Sequence, residues 1–362
     1  MNTVITFIYK FKFFNRSLII LTFGIFSLIF LLSRCKEQSI DKPAIEIQKG
    51  KGLFVVNEGT FSYGNASLHY LNLENDSLNT HEDVFKLANN RPLGDIFQSM
   101  CIIDNLAWLI VNNSGKIEVI NPNTFKTVTT IKGLRSPRFV KEIPTGKVYV
   151  TDLYANSISI IDTKTFTKTG QISCPGWTEE LILIKEEVWI SNHNRNYVYV
   201  VNALSDKITD SVEVAYGGSS ILEGKDGHVY LLCSGDYTVS KTGGLFCIDP
   251  KTKKIIKKWL FNKIDFNPTN LKENPAGDSL YFIQQGIYGF PNHLNSLPSK
   301  PMIIQNSGTN FYSLHIEIKT GKLFVSNAKD FVSRGEVLIF SKKGILEKTY
   351  KVGVVPSNFL AW

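Results

Sequence analysis

The sequence has few of the residues and motifs that build catalytic or metal centres. It contains five cysteines and six histidines in 362 residues, with no CxxC pair and no common spacing among the histidines. No GxSxG, P-loop or HExxH motif occurs in it. These absences speak against a metal cluster and against catalysis. We expect buried free thiols, with a Cys233–Cys247 disulfide as the alternative in an oxidising compartment.

The chain also lacks a strong excess of charge. Its formal net charge is +8. Half of this charge comes from four residues near the N-terminus: Lys10, Lys12, Arg16 and Arg34. The rest is dispersed, so nucleic acid is not an expected partner. A hydrophobic content of 43% is that of a globular protein.

The first 35 residues have the features of an export signal. A basic stretch precedes Ser17–Leu32, a run of 16 uncharged residues, which is short for a spanning helix and typical of a signal's apolar core. Leu32-Ser33-Arg34-Cys35 then resembles a bacterial lipobox, in which the cysteine is lipidated and becomes the first mature residue. Arg34 departs from that pattern, so an uncleaved N-terminal anchor is the alternative. The predicted parts are a signal peptide at 1–35 ending at the lipidated Cys35, a linker at 36–51 and a folded domain at 52–362.

After residue 50 the sequence shows short β-strand patterns and no helical period of useful length. In Gly146–Ile172 three strands with alternating apolar residues are separated by turns that contain Asn and Asp. A similar sequence pattern repeats about every 40 residues, and each repeat is marked by a turn followed by an apolar strand. The seven markers begin at Gly52, Asn105, Gly146, Glu187, Gly227, Asp278 and Gly321. Four strands per unit of this length predict an all-β fold, a seven-bladed β-propeller with four-stranded antiparallel blades.

The chain ends predict how the ring closes. No strand pattern precedes Gly52, so the chain enters at the second strand of the first blade. The last residues, Pro356–Trp362, match the loop and first strand of the blade at Pro137–Val140. We therefore expect the C-terminal strand to complete the first blade and leave no open sheet edge between the termini.

This organisation, and a few specific runs, resemble the YncE-like seven-bladed propellers, and more narrowly the propeller surface lipoproteins of Bacteroidetes. The runs that carry the resemblance are 54–59 (FVVNEG), 92–95 (PLGD), 111–117 (VNNSGKI), 136–138 (SPR) and 149–154 (YVTDLY). The tether Cys35-Lys36-Glu37 is similar to those that send such lipoproteins to the outer surface. The resemblance implies an outer-membrane, cell-surface location, with the periplasmic face as the alternative. It also implies cobalamin as a ligand and a TonB-dependent outer-membrane transporter as a partner of a monomeric protein.

One face of the propeller is predicted to bind the ligand. The loops after each second strand and the loops that enter each first strand lie on the same face and surround the channel. Amides recur there at one blade position in five of seven copies, and amides, hydroxyls and aromatics suit a polar organic ligand. The same Asn and Asp residues also suit the capping of turns. The candidate ligand residues are Asn57, Glu58, Asn112, Asn113, Arg138, Asp152, Tyr154, Trp177, Glu179, Asn192, His193, Asp236, Tyr237, Gln284, Asn327 and Asn358.

Two alternatives stay open at this stage. One is an interaction scaffold without a small ligand. The other is a propeller hydrolase or lactonase with calcium in the channel, since oxygen ligands suit that ion. Its candidate ligands are Glu58, Asn112, Asp152 and Asn192. Trp108, Trp189 and Trp259 lie inside strand patterns and are expected in the core, whereas Trp177 lies in a loop and is the better candidate for ligand contact.

Overall fold

The structure is a computed structural model, and it describes residue 47 and residues 49–73, 80–264 and 266–362. These residues belong to one compact unit, 45–362. The predicted signal peptide, Cys35 and most of the linker lie outside the described residues. Within the described part of the chain, no helix has the length and hydropathy needed to cross a membrane.

Seven four-stranded antiparallel sheets account for the fold, as predicted. The strands are β1 Gly52–Asn57, β2 Ser67–Asn72, β3 Thr80–His81, β4 Phe97–Ile103, β5 Leu106–Val111, β6 Lys116–Ile120, β7 Thr127–Ile131, β8 Pro137–Ile143, β9 Lys147–Asp152, β10 Ser157–Asp162, β11 Lys168–Ser173, β12 Thr178–Ile184, β13 Glu187–Asn192, β14 Tyr197–Asn202, β15 Lys207–Glu213, β16 Gly218–Glu223, β17 Val229–Asp236, β18 Lys241–Asp249, β19 Lys254–Leu260, β20 Thr269–Glu273, β21 Ser279–Ile283, β22 Gly286–Pro291, β23 Ile303–Ile304, β24 Phe311–Ile316, β25 Leu323–Asn327, β26 Arg334–Phe340, β27 Leu346–Val354 and β28 Pro356–Ala361. Blade 1 contains β28 and β1–β3, and blades 2 to 7 take the remaining strands four at a time in chain order.

The innermost strands form a closed ring. They are β4, β8, β12, β16, β20, β24 and β28, and each contacts the innermost strand of both neighbouring blades. The ring closes because β28 pairs antiparallel with β1, with Phe359 opposite Val55. Gly52 and Trp362 exchange two main-chain hydrogen bonds of 3.1 and 2.9 Å at the end of this pairing. The predicted closure by the C-terminal strand is confirmed.

The core is divided among the seven interfaces between blades, with one apolar cluster at each. In each blade the second strand is largely buried on both faces, which explains why the seven sequence markers are nearly continuous apolar runs rather than alternating ones. Trp108, Trp189 and Trp259 are buried in these clusters, as predicted. Cys174, Cys233 and Cys247 are buried free thiols, and Cys101 is a partly buried one.

One helix lies in an insertion of blade 1 where the sequence shows only a long loop. This helix, α1, spans Val84–Asn89 and begins where the Asp83 carboxylate accepts a hydrogen bond from the Lys86 main-chain N–H. Val84 and Phe85 are fully buried in the cluster between blades 1 and 2. With only 6 residues the helix is too short to show a helical period in the sequence, and its packing holds it in place.

Candidate functional site

The loops predicted to share one face do so, and hydrogen bonds connect them. The loops that follow second strands and the loops that lead into innermost strands meet around the channel, on what we call the upper face. Ser136 N–H, before β8, donates to Asp152 Oδ2, at the end of β9, over 2.8 Å. The Asn192 amide, at the end of β13, donates to Pro175 O over 2.9 Å in the loop before β12.

Five of the predicted ligand residues are buried at this position; four of them hold these loops together, whereas the Asn57 amide donates to main-chain oxygens of β1 and β2 in its own blade. These residues lie at the ends of second strands and are each at most 7% exposed: Asn57, Asp152, Asn192 and Asn327 are the last residues of their strands, and Asn112 directly follows β5. Both carboxylate oxygens of Asp152 accept main-chain N–H groups, with Tyr154 and Ala155 on Oδ1. The recurring amide therefore marks a position that satisfies the main chain of adjacent loops.

A second polar position, set by a β-bulge, recurs in all seven blades. In every innermost strand the pairing shifts by one residue directly after the first residue of the strand. A bulge bends its strand and re-aims the extra side chain. The residues that directly follow the first residue of these strands are Gln98, Arg138, Glu179, Ser219, Asn270, Tyr312 and Ser357, which we call the bulge ring. All seven side chains can form hydrogen bonds.

Arg138 is the centre of a charged network in the bulge ring. Its guanidinium donates to Glu179 through Nε at 3.1 Å and Nη2 at 2.7 Å, and Nη1 donates to Gln98 Oε1. These contacts join the innermost strands of blades 2, 3 and 4. The Arg138 guanidinium also lies 5.7 Å from the centre of the Trp177 ring. Trp177 stacks on His193 with 4.3 Å between ring centres, and its indole N–H donates to Glu179.

Glu58 of blade 1 lies near this network, close enough to Arg138 for its charge to act on the Glu58 carboxyl. It follows β1, and Tyr312 of blade 7 donates its hydroxyl to Glu58 Oε2 over 3.3 Å. Burial raises the pKa of Glu58 to about 7, although the positive charge of Arg138 and the Tyr312 hydroxyl act in the opposite direction. Burial and the Glu58 carboxylate raise the pKa of Tyr312, so its hydroxyl remains a donor at neutral pH. Burial lowers the pKa of His193, which favours the neutral imidazole.

Exposed aromatic side chains lie around this polar mouth. Tyr154 is 57% exposed in the loop after β9, and Tyr237 is 80% exposed after β17. Asp236 caps the short turn that carries Tyr237 by accepting from Thr238 N–H at 2.8 Å. Asn113 is exposed after β5 and donates to Asp95 at 2.5 Å. These residues form a rim above the bulge ring.

The structure thus sorts the predicted ligand residues into separate groups. Glu58, Arg138, Trp177, Glu179 and His193 come together at the mouth. Asn358 lies in β28 beside the bulge-ring residue Ser357. Gln284 lines a lateral cavity of about 720 Å³ between blades 5 and 6, together with Phe266 and Tyr288.

The sequence places five further members of the bulge ring on this face without including them among the candidate ligand residues: Gln98, Ser219, Asn270, Tyr312 and Ser357. Their common signal is a polar residue directly after the first residue of each innermost strand. It is weak in the sequence because residue type varies from blade to blade.

The mouth does not present a ready set of metal ligands. Among the described residues, no three His, Cys, Asp or Glu side chains are grouped so as to hold a metal ion. Of the residues considered for calcium, Asp152 and Asn112 already accept hydrogen bonds from Ser136 in the loop before β8, and Asp152 also accepts one from Tyr154 N–H in its own loop. Arg138, a cation, lies close enough to Glu58 to act on its pKa.

A closed ring of seven blades with a polar, charged mouth defines the class of protein as a seven-bladed β-propeller. The chain belongs to the family described as "Domain of unknown function (DUF5074)", whose sequence profile matches residues 51–333. No curated protein matches the chain.

Solved structures show the same fold at low sequence identity. A quinonprotein alcohol dehydrogenase-like protein from Bacteroides thetaiotaomicron is 17% identical with a TM-score of 0.68, covering 86% of this chain and 78% of its own. Virginiamycin B lyase from Staphylococcus aureus is 15% identical with a TM-score of 0.55, covering 69% and 82%. Hydrazine synthase from Kuenenia stuttgartiensis is 12% identical with a TM-score of 0.58, covering 72% and 88%. At these identities the likeness concerns the fold, which carries enzymes and other proteins alike.

Proposed function

We propose that this protein is a non-catalytic binding protein that holds a polar organic ligand over the mouth of its channel. In this proposal a lipid at Cys35 tethers the propeller to the outer membrane at the cell surface, and a TonB-dependent transporter receives the ligand. Cobalamin is the ligand to test first, because it combines amide side groups with a large ring surface.

The bulge ring is the observation that supports binding. All seven blades contribute a hydrogen-bonding side chain at the same strand position, which supplies donors and acceptors around the mouth. The exposed Tyr154 and Tyr237 add aromatic faces that suit apolar ring surface. Arg138 and Glu179 are already paired with each other, which favours a recognition surface over a reactive pair.

A contiguous apolar patch on the same face supports a protein partner as well. Phe61 and Tyr63 lie in the loop after β1 and are 66% and 75% exposed. Val332 lies in the loop after β25 and is 65% exposed. The Thr60 hydroxyl donates to Phe331 O over 3.3 Å, which joins the two loops across blades 1 and 7. Exposed aromatic residues grouped beside a ligand mouth are typical of a protein interface. We propose this patch as the contact with the transporter.

The ligand is tested by calorimetric and absorbance titration of the protein with cyanocobalamin. We expect saturable heat and a spectral shift, and we expect Tyr154→Ala combined with Tyr237→Ala to weaken binding about tenfold or more, since each lost aromatic contact removes on the order of 1 kcal/mol. The control is Leu204→Ala, a 60% exposed apolar residue in the turn after β14 on the opposite face.

The titration separates the two parts of the proposal. Absence of heat and of a spectral shift at micromolar protein would reject cobalamin. Equal weakening by the rim pair and by the Leu204 control would reject the upper face as the site. Co-purification of a transporter that is lost in Phe61→Ala with Tyr63→Ala tests the partner independently of any ligand.

A further inference from the structure

The opposite face, which we call the lower face, carries a second cavity. It has a volume of about 910 Å³, within the usual size of a small-molecule site. Its lining comes from the ends of β4, β24 and β28, the starts of β1 and β25, and the segment 49–51 that leads into β1. Because the innermost strands all run from the upper to the lower face, this cavity and the bulge ring lie at opposite ends of the same strands. We call it the basal cavity.

The interior of the basal cavity is apolar and uncharged. Leu53, Ile102, Phe324, Leu360 and Trp362 line it with apolar side chains. The polar side chains that line the interior, His315 and Cys101, are neutral at physiological pH. Burial lowers the pKa of His315 to about 4, so its imidazole carries no charge, and burial raises the pKa of the Cys101 thiol to about 12.

The rim of the basal cavity is basic. Among the described residues, the side chains of Lys49, Lys51 and Lys319 line it with one carboxylate, that of Glu317. Lys49 Nζ lies 5.3 Å from the centre of the Trp362 ring, and Lys319 Nζ lies 3.4 Å from Gly50 O. Both ammonium groups therefore rest on neutral partners at the edge of an apolar wall. Their long side chains can bend over the opening and keep the charge in water.

We propose that the basal cavity binds a single acyl chain whose anionic head group pairs with Lys49 and Lys319. An apolar interior excludes small hydrophilic anions, because they would lose hydration without gaining partners. A basic rim in turn distinguishes an acyl anion from a neutral hydrocarbon, because it supplies an opposite charge where the head group would emerge. The exposed Ile318, 78% accessible beside Lys319, extends the apolar surface at the opening. This proposal concerns the lower face and does not depend on a ligand at the upper face.

A fluorescent fatty acid, dansyl-undecanoate, tests the proposal on residues 45–362. This part contains both β1 and β28, so the ring closes within it. We expect probe emission to rise on binding and to fall when palmitate displaces the probe. 1-Hexadecanol, which has the same chain without the charge, should displace it about tenfold less well. Vesicles of phosphatidylglycerol form a second arm: co-sedimentation that palmitate prevents would indicate a membrane lipid as the source, and displacement without co-sedimentation a free fatty acid.

Two variants make the result specific. Lys49→Glu with Lys319→Glu reverses the rim charge on exposed residues and should weaken palmitate about tenfold or more. Lys164→Glu is the matched control, since Lys164 is an exposed lysine in the turn after β10 on the same face, and it should leave binding unchanged. Ile102→Trp fills the cavity and should abolish binding, with the thermal midpoint checked separately. Absence of displaceable probe, equal affinity for hexadecanol, or equal weakening by the Lys164 control would overturn the proposal.

Discussion

Replacement of Glu58 by glutamine should remove a pH dependence of stability that arises at the channel mouth. Burial raises the pKa of this carboxyl from 4.5 to about 7 in the folded protein. Between those two values the folded state keeps a proton that the unfolded state has released. The contribution to stability is therefore fully present below pH 4.5 and is lost as the pH rises through 7. Glutamine resembles the protonated carboxyl and can still accept from Tyr312.

The size of the effect follows from the shift. The rise of the Glu58 pKa from 4.5 to about 7 corresponds to at most about 3 kcal/mol in the free energy of unfolding, at 1.36 kcal/mol per pKa unit. Glu58 is partly accessible to solvent, so we expect about 1–2 kcal/mol after screening. The variant should match the parent protein near pH 4.5 and exceed it above pH 8. For a propeller of this length the gain is about 1.5–3 °C in thermal midpoint.

Thermal unfolding of residues 45–362 at three pH values measures this difference. Glu186→Gln is the control, because Glu186 is an exposed carboxylate in the turn before β13, and its difference from the parent should not vary with pH. A Glu58→Gln difference that stays constant from pH 4.5 to 8 would show that Glu58 is not held protonated by its surroundings. A difference that grows toward low pH would give the opposite sign and refute the reasoning outright.

Three further predictions concern the ring, the network and the thiols. Deletion of 358–362 should lower stability by about 5 kcal/mol or more, since it unpairs β1 and removes Phe359 and Trp362 from their clusters; a thermal midpoint equal to that of the full ring would contradict the closure. Arg138→Gln should lower the free energy of unfolding by about 3–5 kcal/mol, because it leaves the Glu179 carboxylate buried without its cation. In a double-mutant cycle, the addition of Glu179→Gln should restore most of that loss. Cys233, whose thiol pKa is raised by burial, should react with a thiol reagent only after unfolding, and rapid labelling of the native protein would show that its blade opens.

The two ends of the channel differ in chemistry because the same innermost strands present different residues at each end. At the upper end the bulge ring and Glu58 are polar and linked to one another. At the lower end Ile102, His315 and Leu360 are neutral, and charge returns only at the lysine rim. A polar ligand should therefore favour the upper face and an apolar ligand the lower face. For this reason each face is tested with its own probe.

Much of the architecture follows from the sequence alone. The turn and apolar strand repeated from Gly52 to Gly321 predict seven second strands, because a strand buried on both faces needs an uninterrupted apolar run. The match between Pro356–Trp362 and Pro137–Val140 predicts the closing strand. The helix α1 is different: Val84–Asn89 forms about one and a half turns of helix, and it is held in place by its burial between blades 1 and 2 rather than by its own sequence pattern.

The site depended on the tertiary structure. Sequence position places Asn112, Asp152 and Asn192 on the upper face, yet their side chains turn toward neighbouring loops because buried main-chain groups there need partners. The sequence also marks Arg138 and Glu179 as candidates, but not that they pair, since they lie 41 residues apart and meet only when blades 3 and 4 pack. A bulge, which shifts pairing by one residue and turns a side chain into the channel, has no local signature as regular as an apolar strand. Local periodicity therefore determined the blades, whereas packing between blades decided which polar residues come together at the mouth of the channel.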